Sequence, residues 1–97
     1  MQQVLEDAIA KRLLVEFEYR GHTRVAEPHV LGLSGGATQL LVYQVGGTSS
    51  SGGLPQWRRF DLSEASGLTV LAQSFPGARP YPSGKHSTWD FVIAVVT

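Results

Sequence analysis

Ninety-seven residues, of which 42% are hydrophobic and 16% charged, are enough for one folded domain with a small core and too few for two. Eight basic and eight acidic side chains cancel, so no strong overall field draws the chain to nucleic acid or to an anionic membrane. The absence of cysteine excludes disulfides, thiolate chemistry and cysteine-based zinc sites.

The first element predicted along the chain is a short amphipathic helix over residues 2–11. Acidic residues come early in this segment and basic residues late, which is the arrangement that the helix dipole favours. Apolar side chains recur there at helical spacing, at Val4, Leu5, Ala8 and Ile9. We expect this helix to cover one end of a β-domain.

Two paired strands are predicted after the helix. Apolar residues alternate with polar ones from Leu13 to Tyr19, which is typical of a strand with one buried face. A turn at 20–21 then leads into a second strand over 23–33. Pro28 cannot donate a ladder hydrogen bond, so we expect an edge position or a bulge near it.

Three further strands are predicted by branched and aromatic runs, at 39–45, 56–62 and 68–73. The glycine pair within 34–37 predicts a turn, and 63–66 favours a single helical turn. Residues 46–55 form a glycine- and serine-rich loop, which is typical of a flexible spacer or of a functional loop. No P-loop lysine motif follows it.

The C-terminal extension, residues 74–97, begins with prolines that exclude regular structure until about residue 86. Residues 89–96 are apolar and β-branched, which favours a final strand, although a helix packed on the barrel is the alternative. This apolar segment predicts either closure of the barrel or a homo-oligomer formed by pairing with a second subunit.

Together these elements predict a single, mainly β domain over residues 1–97. An N-terminal helix precedes a strongly bent five-stranded antiparallel barrel over 13–73, of the Sm-like or SH3-like plan, and a C-terminal strand follows. A small sandwich is the alternative.

Several segments follow one another in an order and spacing that match a known family. They are Ala8–Tyr19, Arg24–His29 (Arg-Val-Ala-Glu-Pro-His), Leu31-Gly32, Leu40–Tyr43 (Leu-Leu-Val-Tyr), Trp57–Phe60 (Trp-Arg-Arg-Phe), Gly67–Leu71 and Phe75. Over about residues 4–75 the chain thus resembles the WYL domain. The resemblance implies an Sm-like barrel that senses ligands or nucleic acid beside a helix-turn-helix in bacterial transcription regulators, with positively charged barrel residues in the site.

The chain departs from the WYL pattern at two places. The signature Trp-Tyr-Leu falls on residues 38–40, Thr-Gln-Leu, so only the leucine is present. Two arginines of a later segment fall on Asp61 and Glu64, which reverses the charge. Residues 43–57 instead resemble a short, stand-alone branch of WYL-like proteins. Since no helix-turn-helix is predicted in these residues, we expect a regulatory role to need a partner chain.

The candidate ligand-binding surface combines cations, aromatic rings and hydrogen-bonding groups: Arg24, Glu27, His29, Tyr43, Gln44, Trp57, Arg58 and Arg59. Its arginines can bind a phosphate or carboxylate bidentately, or pair with acidic side chains on the outer face. Tyr43, Trp57 and Tyr81 predict a stacking platform for a base, or simply fill core and interface.

No catalytic constellation is evident. Glu27 and His29 form a candidate carboxylate–imidazole pair for proton transfer, but only the serines at 49–51 offer a nucleophile, so a small hydrolase is the third hypothesis. The spacing of His22, His29 and His86 matches no metal-ligand motif. We expect no enzyme, no metal and no cofactor.

The sequence therefore predicts a non-enzymatic ligand-binding or regulatory module of WYL type. Its ligand is a small molecule or is nucleotide-like, and the resemblance links it to bacterial transcription regulation or defence. The alternative is an accessory protein that binds single-stranded nucleic acid or nucleotides. With no signal-peptide pattern and no apolar run long enough for a bilayer, we expect a cytoplasmic protein without membrane contact.

Overall fold

A computed structural model describes residues 1–47, 53–80 and 88–97. The chain forms an N-terminal helix followed by a six-stranded antiparallel sheet, which confirms the mainly β prediction. The elements are α1 (Gln2–Lys11), β1 (Leu13–Tyr19), β2 (His22–Ser34), β3 (Ala37–Gly47), β4 (Gln56–Asp61), a 3-10 helix (Leu62–Glu64), β5 (Ala65–Ser74) and β6 (Phe91–Val95). The predicted roles of the serines at 49–51, of Tyr81 and of His86 lie outside the described residues.

Helix α1 has the predicted bounds and covers one end of the sheet, where it contacts β1, β2, β5 and β6. Leu5, Ala8 and Ile9 form its buried face. Burial of each of the two larger side chains, Leu5 and Ile9, stabilises the fold by about 2 kcal/mol. The helix ends at Arg12 in the left-handed conformation. The Arg12 carbonyl then accepts a hydrogen bond of 2.9 Å from the Phe75 N–H, which joins the end of the helix to the end of β5.

Two tight turns connect the first three strands, as predicted. Arg20 and Gly21 have φ angles of 51° and 79°, and Gly35 and Gly36 have 58° and 80°. Two consecutive positive φ angles define the hairpin turn whose twist matches that of the strands. The β1–β2 turn sets Tyr19 opposite His22, and this register places Arg24 two residues into β2.

The sheet has the strand order β4-β3-β2-β1-β5, with β6 paired to β2. In the described residues β4 and β5 are not hydrogen-bonded to each other, so hydrogen bonds do not close the sheet into the predicted barrel and it is open along this seam. Side chains fill the gap instead. The Phe60 ring of β4 lies 5.2 Å from the Phe17 ring and 4.5 Å from the Tyr19 ring of β1. Aromatic packing therefore joins β4 to β1, two strands that are not hydrogen-bonded to each other.

Strand β2 changes neighbours at Pro28. Its pairing with β1 ends at Ala26, and its pairing with β6 begins at Val30. The register with β3 also shifts between Pro28 and Val30, so the predicted bulge is confirmed. Because proline has no N–H to pair, this is the point where β2 can exchange one neighbour for another at least cost.

The predicted C-terminal strand is confirmed, over Phe91–Val95, and the helical alternative is wrong. The expectation that it closes the barrel is also wrong, because β6 pairs with β2 at the edge that β1 leaves free. Phe91, Val92 and Val95 expose about half of their surface. Pairing of this strand with a second subunit stays a prediction.

The core lies between the sheet and α1. Its buried hydrophobic side chains come mainly from α1 and from β1 to β4, and include Leu5, Val15, Leu31, Leu40, Val42 and Phe60. Among the described residues, no helix has the length and apolarity that a membrane span requires. Strands β2, β3 and β5 run beyond their predicted bounds, because pairing with neighbours continues through polar residues that show no alternation.

Gly32 allows β6 to lie against β2. A Cβ at this position would lie 2.6 Å from the Phe91 carbonyl oxygen and 2.7 Å from the Trp89 ring. We expect Gly32→Ala to displace β6 and to lower the free energy of unfolding by about 1–3 kcal/mol, measured by urea unfolding. Amide hydrogen exchange in β6 should also become faster. Gly46→Ala is the control, because its Cβ would lie 3.4 Å from Val25; equal midpoints for both variants would contradict this account.

Candidate functional site

The predicted ligand-binding residues lie on three adjacent strands and separate into two groups. The first group faces a cleft and comprises Arg24, Trp57, Arg58 and Arg59, with Gln44 bonded to Arg24. The second group comprises Glu27, His29 and Tyr43, which surround Arg79. The Trp57 ring contacts His29 and Tyr43 and also lines the cleft, so it belongs to both.

The cleft lies between β4 and the β1–β2 turn. Its volume of about 490 Å³ is in the range of small-molecule sites. None of the described residues that line it is acidic. They are Tyr19, Arg20, His22, Arg24, Trp57, Arg58, Arg59 and Phe60. The cleft is therefore basic, with aromatic walls.

Arg24 is the most buried cation of the cleft, with 5% of its surface exposed. Its Nη2 donates to the Tyr19 carbonyl at 3.3 Å and its Nη1 to Gln44 Oε1 at 3.5 Å, while Nε has no hydrogen-bond partner among the described residues. The guanidinium carbon lies 5.3 Å from the Phe60 ring centroid. Burial, and then repulsion by Arg58, lower the pKa of Arg24.

No carboxylate of the described residues forms a salt bridge with Arg24. A buried cation without an opposite charge is costly, because it has lost hydration. Among the described residues, Arg24 is offset by two hydrogen bonds and by the Tyr19 and Phe60 rings, and not by a carboxylate.

The other arginines of the cleft are engaged differently. Arg20 binds both carboxylate oxygens of Glu64 at 3.1 Å, and this pair lowers the pKa of Glu64. Arg59 lies 3.7 Å above the Trp89 ring and donates to Gln39 Oε1 and to the Thr88 carbonyl oxygen at 2.7 and 3.0 Å. Burial lowers the pKa of Arg59.

Two acidic residues that were candidate partners of the arginines are occupied elsewhere. Asp61 accepts hydrogen bonds from the Ser63 N–H and hydroxyl at 3.0 and 2.7 Å, and so caps the 3-10 helix. Glu27 pairs with Arg79, whose Nε and Nη2 donate to its two carboxylate oxygens at 2.6 and 2.9 Å. The cleft consequently keeps most of its positive charge.

His29, a member of the second group, is fully buried. Its Nδ1 lies 2.9 Å from the Glu27 carbonyl oxygen, and its Nε2 accepts a hydrogen bond of 3.3 Å from the Arg79 N–H. The first contact needs a donor and the second an acceptor, so the ring is the neutral Nδ1–H tautomer. The ring packs edge-on against Trp57 and stacks on Phe75, with centroids 4.8 and 5.5 Å apart.

The predicted proton-transfer pair is not formed, because Glu27 binds Arg79 through its carboxylate while His29 binds main-chain groups. Both ring nitrogens of His29 are thus occupied. Within the described part of the chain, no group of three or more His, Cys, Asp or Glu side chains is arranged to hold a metal ion.

Sequence reasoning missed Arg79, and also Tyr19, Arg20, His22 and Phe60 of the cleft. Arg79 lies between Pro76 and Pro80 in a segment without apolar periodicity, so no local pattern marks it. The one available signal was Glu27 itself, since a carboxylate in a strand of the core requires a cation as its partner.

Comparisons with models of known protein families, with curated proteins and with solved structures find no match for this chain. The functional interpretation therefore rests on the geometry of the two groups.

The buried His29 should make stability depend on pH. Burial lowers its pKa below the ordinary value of 6.5, despite the opposing contacts with Glu27. Because the unfolded state then binds the proton more tightly, stability is full above about pH 6.5 and falls as the pH decreases toward the folded-state pKa, by at most about 1.4 kcal/mol per pH unit.

Urea unfolding from about pH 5 to about pH 8 measures this dependence. His29→Gln should remove this part of the slope, and His22→Gln, which removes a histidine outside this network, should keep it. An unchanged slope in His29→Gln would show that another group is responsible.

Proposed function

We propose that this chain is a non-enzymatic, ligand-binding regulatory module of WYL type, and that its ligand is a small organic anion bound in the basic cleft. One observation carries the proposal: the Arg24 guanidinium is buried, its Nε has no partner among the described residues, and it lines a cleft of about 490 Å³.

The physical argument is one of compensation. A phosphate or carboxylate in the cleft beside Arg24 balances the buried charge, although the unpaired Nε itself lies beneath the cleft surface. The same anion relieves the repulsion between Arg24 and Arg58 that lowers the pKa of Arg24. Trp57 and Phe60 supply apolar surface for the rest of the ligand.

The WYL assignment is supported by an N-terminal helix followed by five consecutive antiparallel strands in one bent sheet. We interpret this as an Sm-like plan that is left open between β4 and β5. Arg24 lies in the segment that carries the resemblance. Asp61 and Glu64 occupy the positions of the family's later arginines, and here they cap the 3-10 helix and bind Arg20. The positive charge of the site then depends on Arg24, Arg58 and Arg59.

The second candidate function is binding of single-stranded nucleic acid. The Trp57 ring beside Arg58 and Arg59 in an open cleft favours it, because bases stack on aromatic faces while arginines contact the backbone. The balanced net charge favours the small anion, since non-specific nucleic-acid binding depends on an extended basic surface.

Arg24→Met tests the role of the buried cation. We expect loss of binding of inorganic phosphate and adenosine monophosphate, measured by NMR titration at fixed ionic strength. We also expect a free energy of unfolding equal to that of the wild type or up to about 2 kcal/mol higher, because an uncompensated buried charge is replaced by an apolar side chain.

Lys11→Met is the matched control, since it removes one positive charge from the exposed end of α1. It should leave binding unchanged. If Arg24→Met unfolds at lower urea while binding is retained, Arg24 is a structural residue and the proposal is wrong.

Salt dependence separates the two candidate functions. If a single-stranded oligonucleotide is the ligand and contacts Arg24, Arg58 and Arg59, the logarithm of its affinity should fall with the logarithm of salt concentration with a slope of roughly −2, from about −0.7 per neutralised phosphate. A small anion contacting Arg24 should give a much shallower slope. The oligonucleotide slope is measured by fluorescence anisotropy of a labelled oligothymidylate, and the measurement is repeated with Arg24→Met. A slope near zero excludes single-stranded nucleic acid bound through these arginines.

A further inference from the structure

The second group of residues is built by the sheet itself. Glu27, Tyr43 and Trp57 are direct cross-strand partners on β2, β3 and β4, so they form one row across three hydrogen-bonded strands. The Tyr43 and Trp57 rings lie 5.2 Å apart, and His29 packs against Trp57 from the side. We call Glu27, Tyr43 and Trp57 the Glu27 cage; it presents one carboxylate next to two aromatic rings.

The cation in this cage comes from outside the sheet. Arg79 belongs to the segment 75–80, which has no regular secondary structure. Its guanidinium binds both oxygens of Glu27 at 2.6 and 2.9 Å, and its central carbon lies 4.8 Å from the Tyr43 ring centroid. The side chain of Glu27 is 5% exposed, whereas that of Arg79 is 38% exposed. The carboxylate is thus fixed in the core and the cation approaches it from solvent.

We infer that the Glu27 cage is a guanidinium-binding site whose ligand is the arginine side chain of a peptide, and that Arg79 occupies it in cis as a tethered competitor. The site goes beyond the proposed function, because its ligand is a cation and the ligand of the cleft is an anion. It also lies on a contact that the WYL resemblance does not include, since Arg79 follows the matched segments.

The geometry selects arginine over lysine. Two parallel N–H groups of a planar guanidinium reach the two oxygens of Glu27, while the face of the same group is near Tyr43. An ammonium group is a compact point charge and cannot make the paired contact and the stacked contact together.

The segment that carries Arg79 also has an anchor that does not involve the guanidinium. This anchor is the buried Phe75, whose N–H donates to the Arg12 carbonyl. Removing the guanidinium should therefore leave the segment in place and the cage empty. A tethered arginine weakens a free competitor by the ratio of its bound to its unbound population. Since Arg79 occupies the cage in this structure, we take this ratio as at least about ten and expect a free ligand to bind at least about tenfold more tightly once Arg79 is removed.

The test uses full-length Arg79→Ala and follows the indole N–H resonance of Trp57 by NMR at fixed ionic strength. The probes are ethylguanidinium and the peptide acetyl-Ala-Arg-Pro-amide, which copies residues 78–80. We expect a saturable shift of this resonance in Arg79→Ala, and a response at least about tenfold weaker in the wild type. The matched ammonium probes are ethylammonium and acetyl-Ala-Lys-Pro-amide, and they should give no saturable shift of the Trp57 resonance.

The matched variant is Arg79→Ala combined with Glu27→Gln, which should remove the response to both guanidinium probes. The inference is overturned if folded Arg79→Ala shows no saturable shift, if the ammonium probes act equally, or if the response survives Glu27→Gln. If Arg79→Ala is unfolded in the absence of a probe, the titration instead measures whether each probe restores the NMR spectrum of the folded protein. Recovery by ethylguanidinium but not by ethylammonium supports the cage, and any other result overturns it.

Discussion

Strand β2 carries three buried polar side chains, and the structure depends on how each one is compensated. His29 is neutral and uses main-chain groups on both sides of its ring. Glu27 takes its counter-charge from Arg79, a residue beyond the end of β5. Arg24 has hydrogen-bond acceptors at two of its nitrogens but no carboxylate among the described residues. Buried polar groups without partners are rare. Arg24 is therefore the residue of β2 whose charge and Nε–H lack a partner among the described residues.

The Arg24 side chain lines a cleft between β4 and the β1–β2 turn. Phe60 of β4 packs edge-on against Phe17 and Tyr19 of β1. The Phe60 and Tyr19 rings also form part of the cleft wall. The Arg24 guanidinium lies near the Tyr19 and Phe60 rings. The aromatic contact between β1 and β4 therefore also positions this cation.

Local patterns in the sequence were sufficient for the helix, the two glycine-containing turns, the strands and the bulge at Pro28, because each depends on residues a few positions apart. They could not show which strand edge β6 would occupy, or that the barrel would stay open, since both depend on long-range competition for β2. Predicted site residues were brought together on adjacent strands, yet Arg79 is 52 residues from Glu27 in the chain. Only the tertiary structure could identify it as the partner.

Trp57 belongs both to the cleft and to the Glu27 cage, and this has a consequence for the two proposed ligands. Exchanging Arg79 for another arginine side chain conserves the charge beside Glu27, so the field in the basic cleft is unchanged by such an exchange. Any coupling between the sites must then act through the position of the Trp57 ring, which contacts Tyr43 and His29 on one side and lines the cleft on the other. By contrast, loss of the cation would leave the buried carboxylate of Glu27 without a counter-charge. The two kinds of change are therefore physically distinct.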